Sequence, residues 1–286
     1  MTDSLSEATQ QSAITAPTQF AQADEVTFAY RRFGVEGVRP VVFFNHLAAN
    51  LDNFDPAVLD GIAREQEVIT FDNRGVGSTS GQTPKTIEAM ADDAARFIAT
   101  IHSEPVDILA LSMGGMVAQE LALRHPHLIH KLILVGTGPR GGKGINKVTD
   151  TTMMSILKAA LTKSDPKEYI FFNRNQTGRA AAKAFLARLN SRTKDRDADV
   201  SIPAFHAQLK AISVFGKSQS KALDAIDVPT LVINGDNDIM VPTPLSYELV
   251  ATIPGAELEI YADSGHGSLF QYPDRFVTRV LEFLKQ

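Results

Sequence analysis

The sequence predicts an α/β fold: a doubly wound, mostly parallel sheet carrying an inserted helical cap. Three observations carry that expectation. Short apolar, β-branched runs recur along the chain, stretches with helical periodicity separate them, and the alternation stops at Gly136-Thr137-Gly138-Pro139 and resumes only at Val228-Pro229.

The runs Val41–Phe44, Val68–Phe71, Val106–Leu111, Leu132–Val135, Thr230–Ile233 and Leu258–Tyr261 read as buried parallel strands, which are covered on both faces and need not alternate. Helical spacing occupies Phe54–Arg64, Ile87–Ile101, Met113–Arg124, Pro244–Thr252 and Pro273–Leu284. An earlier run, Glu25–Phe33, fits an edge strand. The interruption is helical and basic, with glycines at its start, and reads as a cap, not a second sheet. The expected organisation is a flexible N-terminal arm over residues 1–23, a core built from residues 24–137 and 227–286, and a helical cap over residues 138–226.

Composition bounds the function. With 44% hydrophobic and 21% charged residues, a chain of 286 residues buries an ordinary core and one insertion. Met1–Ala23 has neither a basic start nor a continuous apolar stretch, so it does not read as a signal peptide. No window approaches the roughly 18 apolar residues a membrane span needs. The absence of cysteine excludes disulfides, thiolate metal sites and a cysteine nucleophile, and fits a reducing, cytoplasmic setting. The net charge of −5 argues against a general nucleic-acid binder. Gly138–Ile226 alone carries 16 Lys or Arg against 7 Asp or Glu. That basic balance either favours anionic substrates, solvates the outer helix faces or docks the cap onto an acidic core.

Ala110-Leu111-Ser112-Met113-Gly114-Gly115 follows the strand Val106–Leu111 and opens the helix Met113–Arg124. A tight strand-to-helix turn lifts a serine hydroxyl out of the backbone, and small neighbours let the chain cross there. So short a pattern is by itself as readable as a structural turn. It resembles the Gly-x-Ser-x-Gly nucleophile elbow of the α/β-hydrolase fold superfamily, with Ala110 in place of the first glycine. Members of that superfamily present their triad in the order Ser, Asp or Glu, His. Here Gly235-Asp236-Asn237-Asp238 ends the strand Thr230–Ile233, and Asp263-Ser264-Gly265-His266-Gly267 follows the strand Leu258–Tyr261. The resemblance implies a triad of Ser112, Asp238 and His266, with Asp236 left to shape the turn.

It also implies an oxyanion hole. Met113 N–H follows the nucleophile, and Asn45-His46-Leu47 stands where the superfamily commonly has His-Gly-x, so Leu47 N–H is the second expected donor. His46 is a candidate pocket-lining residue. Asp72-Asn73-Arg74-Gly75-Val76-Gly77-Ser78-Thr79 resembles another superfamily signature and reads as loop-ordering, since no P-loop lysine accompanies it. His125, His127 and His130 invite a metal reading, but no carboxylate cluster completes a site.

The resemblance implies a serine esterase or lactonase that acts on a small-molecule substrate through an acyl-enzyme. It asks for no cofactor, metal, membrane or nucleic acid. Perhydrolase (haloperoxidase-like) and carbon–carbon bond hydrolase activities use the same triad, and a non-catalytic small-molecule receptor is the alternative of another class. The Asp nucleophile of haloalkane dehalogenases and epoxide hydrolases does not fit Ser112. Nothing in the sequence determines the oligomeric state.

Overall fold

Short apolar, β-branched runs suit strands covered on both faces of a sheet, and the inner strands are built from such runs. In the computed structural model, which describes residues 11–286, the strands are β1 (Gln19–Ala23), β2 (Val26–Gly34), β3 (Pro40–Phe44), β4 (Glu67–Phe71), β5 (Val106–Leu111), β6 (Ile129–Val135), β7 (Thr230–Gly235) and β8 (Glu257–Tyr261). They form one eight-stranded sheet in the order β1-β2-β4-β3-β5-β6-β7-β8. From β4 to β8 every neighbouring pair is parallel, whereas β1 and β2 run antiparallel. Every residue of β3, β4, β5 and β7 is buried.

The helices are α1 (Pro56–Ala63), α2 (Ile87–Ile101), α3 (Met113–Arg124), α4 (Val148–Thr162), α5 (Pro166–Phe171), α6 (Gln176–Leu189), α7 (Ile202–Lys217), α8 (Pro244–Thr252), α9 (Ser268–Gln271) and α10 (Pro273–Lys285). Their starts follow capping chemistry. Asp55, Thr86, Asp165, Asn175 and Ser201 each accept a first-turn N–H, and proline opens α1, α5 and α7. One apolar layer sets Met90, Phe97, Met116 and Leu121 of α2 and α3 against the sheet; the other uses Val58, Ile62, Phe276 and Val280 of α1 and α10. Helices α4 to α7 lie between β6 and β7 in the chain. They enter both layers, α7 through Ile212 and Phe215, α6 through Phe185 and Leu189.

Two expectations need correction. Residues 11–23 are not a loose arm: β1 pairs along its length with β2, Ala21 and Ala23 are buried, and Arg192 donates to the Ala13 and Ala16 carbonyls. Small alanines facing inward between glutamines bury too little apolar area to stand out in composition, so backbone pairing and a distant arginine order the segment. Residues 1–10 of the expected arm lie outside the described residues. Because β1 adds outside it, β2 is not an edge strand.

The basic insertion docks on acids of the sheet-bearing segments. Arg140 donates to Glu88 and Glu120, each at 2.5 Å, Lys221 to Glu120 at 2.7 Å, and Arg188 to Asp55 at 2.6 Å. Asp52 is a further buried anchor. It accepts from Arg31 at 2.7 Å and from the Asp197 N–H at 2.9 Å, and Arg192 and Arg196 lie 3.7 and 3.5 Å away. Since Arg31 is itself buried, removing its partner leaves a charge that water cannot reach. Asp52→Ala is expected to lower unfolding free energy by about 3–5 kcal/mol in urea titrations. A loss below about 1 kcal/mol, the scale of an exposed pair, would show that Asp52 is not the anchor.

Candidate active site

The elbow is set by steric contact. Between β5 and α3, Ser112 adopts φ 58° and ψ −115°, a conformation that costs a non-glycine residue on the order of 1–3 kcal/mol. Two features sustain it. Ser112 N–H donates to the Val135 carbonyl of β6 at 2.8 Å, and glycines follow where α3 crosses the sheet. A Cβ at Gly114 would run into the Phe44 carbonyl, and one at Gly115 into Thr137. Met113 begins α3, so its N–H has no partner in the preceding turn of that helix.

Asp238 and Asp236 share a turn but have different partners. Asp238 Oδ1 accepts the Met240 and Val241 N–H groups at 2.7 and 2.9 Å, and Oδ2 lies 2.7 Å from His266 Nδ1. That pair is buried, with side-chain exposures of 0% and 2%. A carboxylate only accepts, so Nδ1 carries a hydrogen and Nε2 is the nitrogen left to face other partners. Asp236, exposed, receives the Asp263 and Ser264 N–H groups at 3.0 and 3.1 Å. Against what burial it has, those bonds and one from Asn237 hold its carboxyl below the usual range. Asp236 thus ties the histidine loop to the β7 turn, and Asp238 holds the imidazole.

Ser112, His266, His46 and Leu47 line one cavity of about 260 Å³. Its other walls are mainly apolar, with Val148, Ile156, Ile170, Phe171 and Phe205 from the inserted helices and Met240 from the turn after Asp238. Phe171 lies parallel to the His266 ring at 5.9 Å and meets the His46 ring edge-on at 5.0 Å, so α5 wedges an aromatic ring against both histidines. A second, more polar cavity shares Ala48, Ile156, Lys167 and Phe205 with the first and adds Asn50, Asn53 and Arg196.

The loop after β3 carries the expected second donor. Asn45 anchors it by donating to the Phe71 carbonyl at 3.1 Å. His46 is buried, its Nδ1 lies 2.8 Å from the Leu47 carbonyl, and its Nε2 has no partner. Ala48 has φ 58° and donates its N–H to Gln208 Oε1 on α7 at 2.8 Å. Sequence reasoning missed Phe171, Met240 and Gln208. They belong to no motif, and their only signal was membership of the insertion or of the turn beyond the acid.

The remaining motifs have structural partners. Asp72 accepts Ser78 N–H at 3.4 Å, and burial together with the neighbouring Asp197 pushes its carboxyl well above the usual range. Arg74 pairs with Glu25 and Asp93. His125 and His130 pair with different carboxylates, Asp92 at 2.8 Å and Asp107 at 2.7 Å. Among the described residues no three His, Cys, Asp or Glu side chains are grouped to hold a metal.

A family model described as alpha/beta hydrolase fold matches residues 39–273. Among solved structures, an alpha/beta hydrolase fold protein from Chitinophaga pinensis is 38% identical, with a TM-score of 0.91 over 96% of this chain and 99% of that one. The 2-hydroxy-6-oxononadienedioate/2-hydroxy-6-oxononatrienedioate hydrolase of Klebsiella pneumoniae is 30% identical over 73% of this chain and 69% of its own. The poly(3-hydroxyalkanoate) depolymerase of Ectopseudomonas oleovorans is 27% identical over 89% and 87%.

Burial holds the His46 pKa down, from 6.5 to about 4, against the raising effect of the Leu47 carbonyl. A lowered folded-state value means that the unfolded chain binds the extra proton first. The neutral ring's contribution is complete above about pH 6.5 and is lost as the pH falls through about 4, a difference of about 3 kcal/mol. In urea titrations at about pH 7.5 and pH 4.5, His46→Gln should therefore lose less stability on acidification than the unsubstituted protein. Equal losses in both would contradict a buried, neutral His46.

Proposed function

The chain belongs to the α/β-hydrolase fold family, and we propose that it is a serine hydrolase that cleaves a small carboxylic ester or lactone through an acyl-enzyme. The observation that carries this reading is one grouping: an Asp238 carboxylate that accepts two backbone N–H groups, a His266 ring oriented by it, and a strained Ser112 lining the same cavity as His266. Membership of the family and the names of the relatives support a hydrolase. The ester or lactone bond is the finer part of the proposal.

In this reaction Ser112 Oγ attacks the substrate carbonyl as its proton passes to His266 Nε2. Charge gathers on the carbonyl oxygen, where the Leu47 and Met113 N–H groups receive it. Two preset donors lower that barrier by several kcal/mol. His266 then protonates the leaving oxygen, and the acyl group stays on Ser112 until a water, activated by the same imidazole, releases the acid. Asp238 holds the tautomer and balances the imidazolium. No step asks for a metal or cofactor.

The cavity of about 260 Å³ is mostly apolar and adjoins the more polar one of about 550 Å³, which supports an apolar acyl group or lactone ring beside Ser112. A second reading, hydrolysis of a carbon–carbon bond beside a ketone, is favoured by the Klebsiella relative, whose name describes an oxo-dienedioate hydrolase. No helix of the described residues is long and apolar enough to cross a membrane; a cytoplasmic enzyme is part of the proposal.

A serine-reactive phosphonate is expected to label Ser112, and Ser112→Ala to abolish both labelling and turnover of short-chain esters. An adduct on any other residue would refute the assignment. The two aspartates should separate. A triad Asp→Asn change costs about 10⁴-fold in a serine protease, so Asp238→Asn should cost at least about 10²-fold in kcat. Asp236→Asn loses one acceptor at an exposed site where water substitutes, and should cost less than about tenfold. A larger loss at Asp236, in variants shown to be folded, would reverse their roles.

A further inference from the structure

The peptide unit joining Leu47 to Ala48 is gripped at both polar ends by side chains. Its carbonyl, Leu47 O, lies 2.8 Å from His46 Nδ1. A carbonyl only accepts, so Nδ1 is the donor. Its N–H, on Ala48, donates to Gln208 Oε1 at 2.8 Å. Between these bonds Ala48 sits at φ 58°, in the left-handed region that residues with a Cβ avoid unless surrounding contacts hold them there.

Both gripping side chains are buried, and each leaves one nitrogen without a partner, His46 Nε2 and Gln208 Nε2. A half-satisfied amide buried in a helix is unfavourable for stability. What Gln208 accomplishes there lies at its oxygen, on the loop. The geometry also reaches back one residue. The ring closed by His46 Nδ1–H and Leu47 O runs through the His46–Leu47 peptide, which carries the Leu47 N–H.

We propose that His46 and Gln208 are positioning residues that clamp the Leu47–Ala48 peptide and thereby aim Leu47 N–H at the developing oxyanion. Gln208 stands on α7, so the site is competent only when that inserted helix is docked. The clamp rests on the reading of Leu47 as an oxyanion donor.

Gln208→Met keeps the length of the side chain and removes the amide acceptor, while Gln208→Glu retains an acceptor oxygen. With a short-chain ester, Gln208→Met should lower kcat at least about tenfold, a part of the about 10²–10³-fold that losing one oxyanion donor costs. KM should stay within about threefold, as for an interaction made only in the transition state. Affinity for a trifluoromethyl ketone, which adds reversibly to Ser112 and places an oxyanion in the hole, should fall in parallel with kcat/KM. Gln208→Glu should recover most of both. Unchanged kcat in a folded Gln208→Met overturns the clamp, as does a loss of thermal stability with no change in ketone affinity. If Gln208→Met does not fold, amide exchange in the unsubstituted protein decides: Ala48 N–H protected like the β3 amides supports the clamp, and rapid exchange overturns it. Retention of turnover by Ser112→Ala would instead overturn the serine-hydrolase reading itself.

Discussion

Between Leu111 and Met113 the chain passes from an inner strand to a helix within one residue, and Ser112 absorbs the turn at φ 58°. That reversal is possible only because α3 can approach the sheet closely, with Gly114 against the Phe44 carbonyl and Gly115 against Thr137. The same approach brings the β3 end beside the α3 start, so the loop carrying Asn45, His46 and Leu47 faces the first turn of the helix. In parallel sheets the carboxyl ends of the strands share one edge. The β7 turn with Asp238 and the β8 loop with His266 therefore open onto that edge as well.

The inserted helices supply what that edge lacks. Without them Ser112 and His266 would stand at an open crevice; Ile156, Ile170, Phe171 and Phe205 convert it into a walled cavity. Charge holds the insertion in place. Arg140, Lys221 and Arg188 reach acids on or beside α2, α3 and α1, and the chain between α6 and α7 closes over Asp52. These bonds use part of the basic excess of the segment.

Dielectric surroundings divide the polar groups of the site into two kinds. Asp238 and His266 meet each other, and Asp238 is further supplied with two backbone donors. His46 and Gln208 are each left with one unmet nitrogen in the same buried region. An unmet group in such surroundings is destabilising, and Ser112 and Ala48 add backbone strain at the same place. Around this cavity strain and unmet polarity coincide, at Ser112 and Ala48 and at His46 and Gln208. That concentration is what a preorganised reactive site requires.

Local pattern determined the inner strands, the five helices flanking them and the motifs around Ser112, Asp238 and His266, whose roles the resemblance to the α/β-hydrolase fold superfamily implied. Each is a short-range property: periodicity, a glycine beside a turn, a strand end. The reach of the sheet was a different matter, because β1 is held by pairing with β2 and by Arg192, a residue far along the chain. The resemblance already implied the division of labour between Asp236 and Asp238, and the fold supplies its physical basis by bringing His266 to one carboxylate and the Asp263 and Ser264 N–H groups to the other. The places of Phe171 and Gln208 were tertiary results. A buried glutamine on a helix has no sequence signature; it gains its meaning from the Ala48 N–H that folding sets 2.8 Å away.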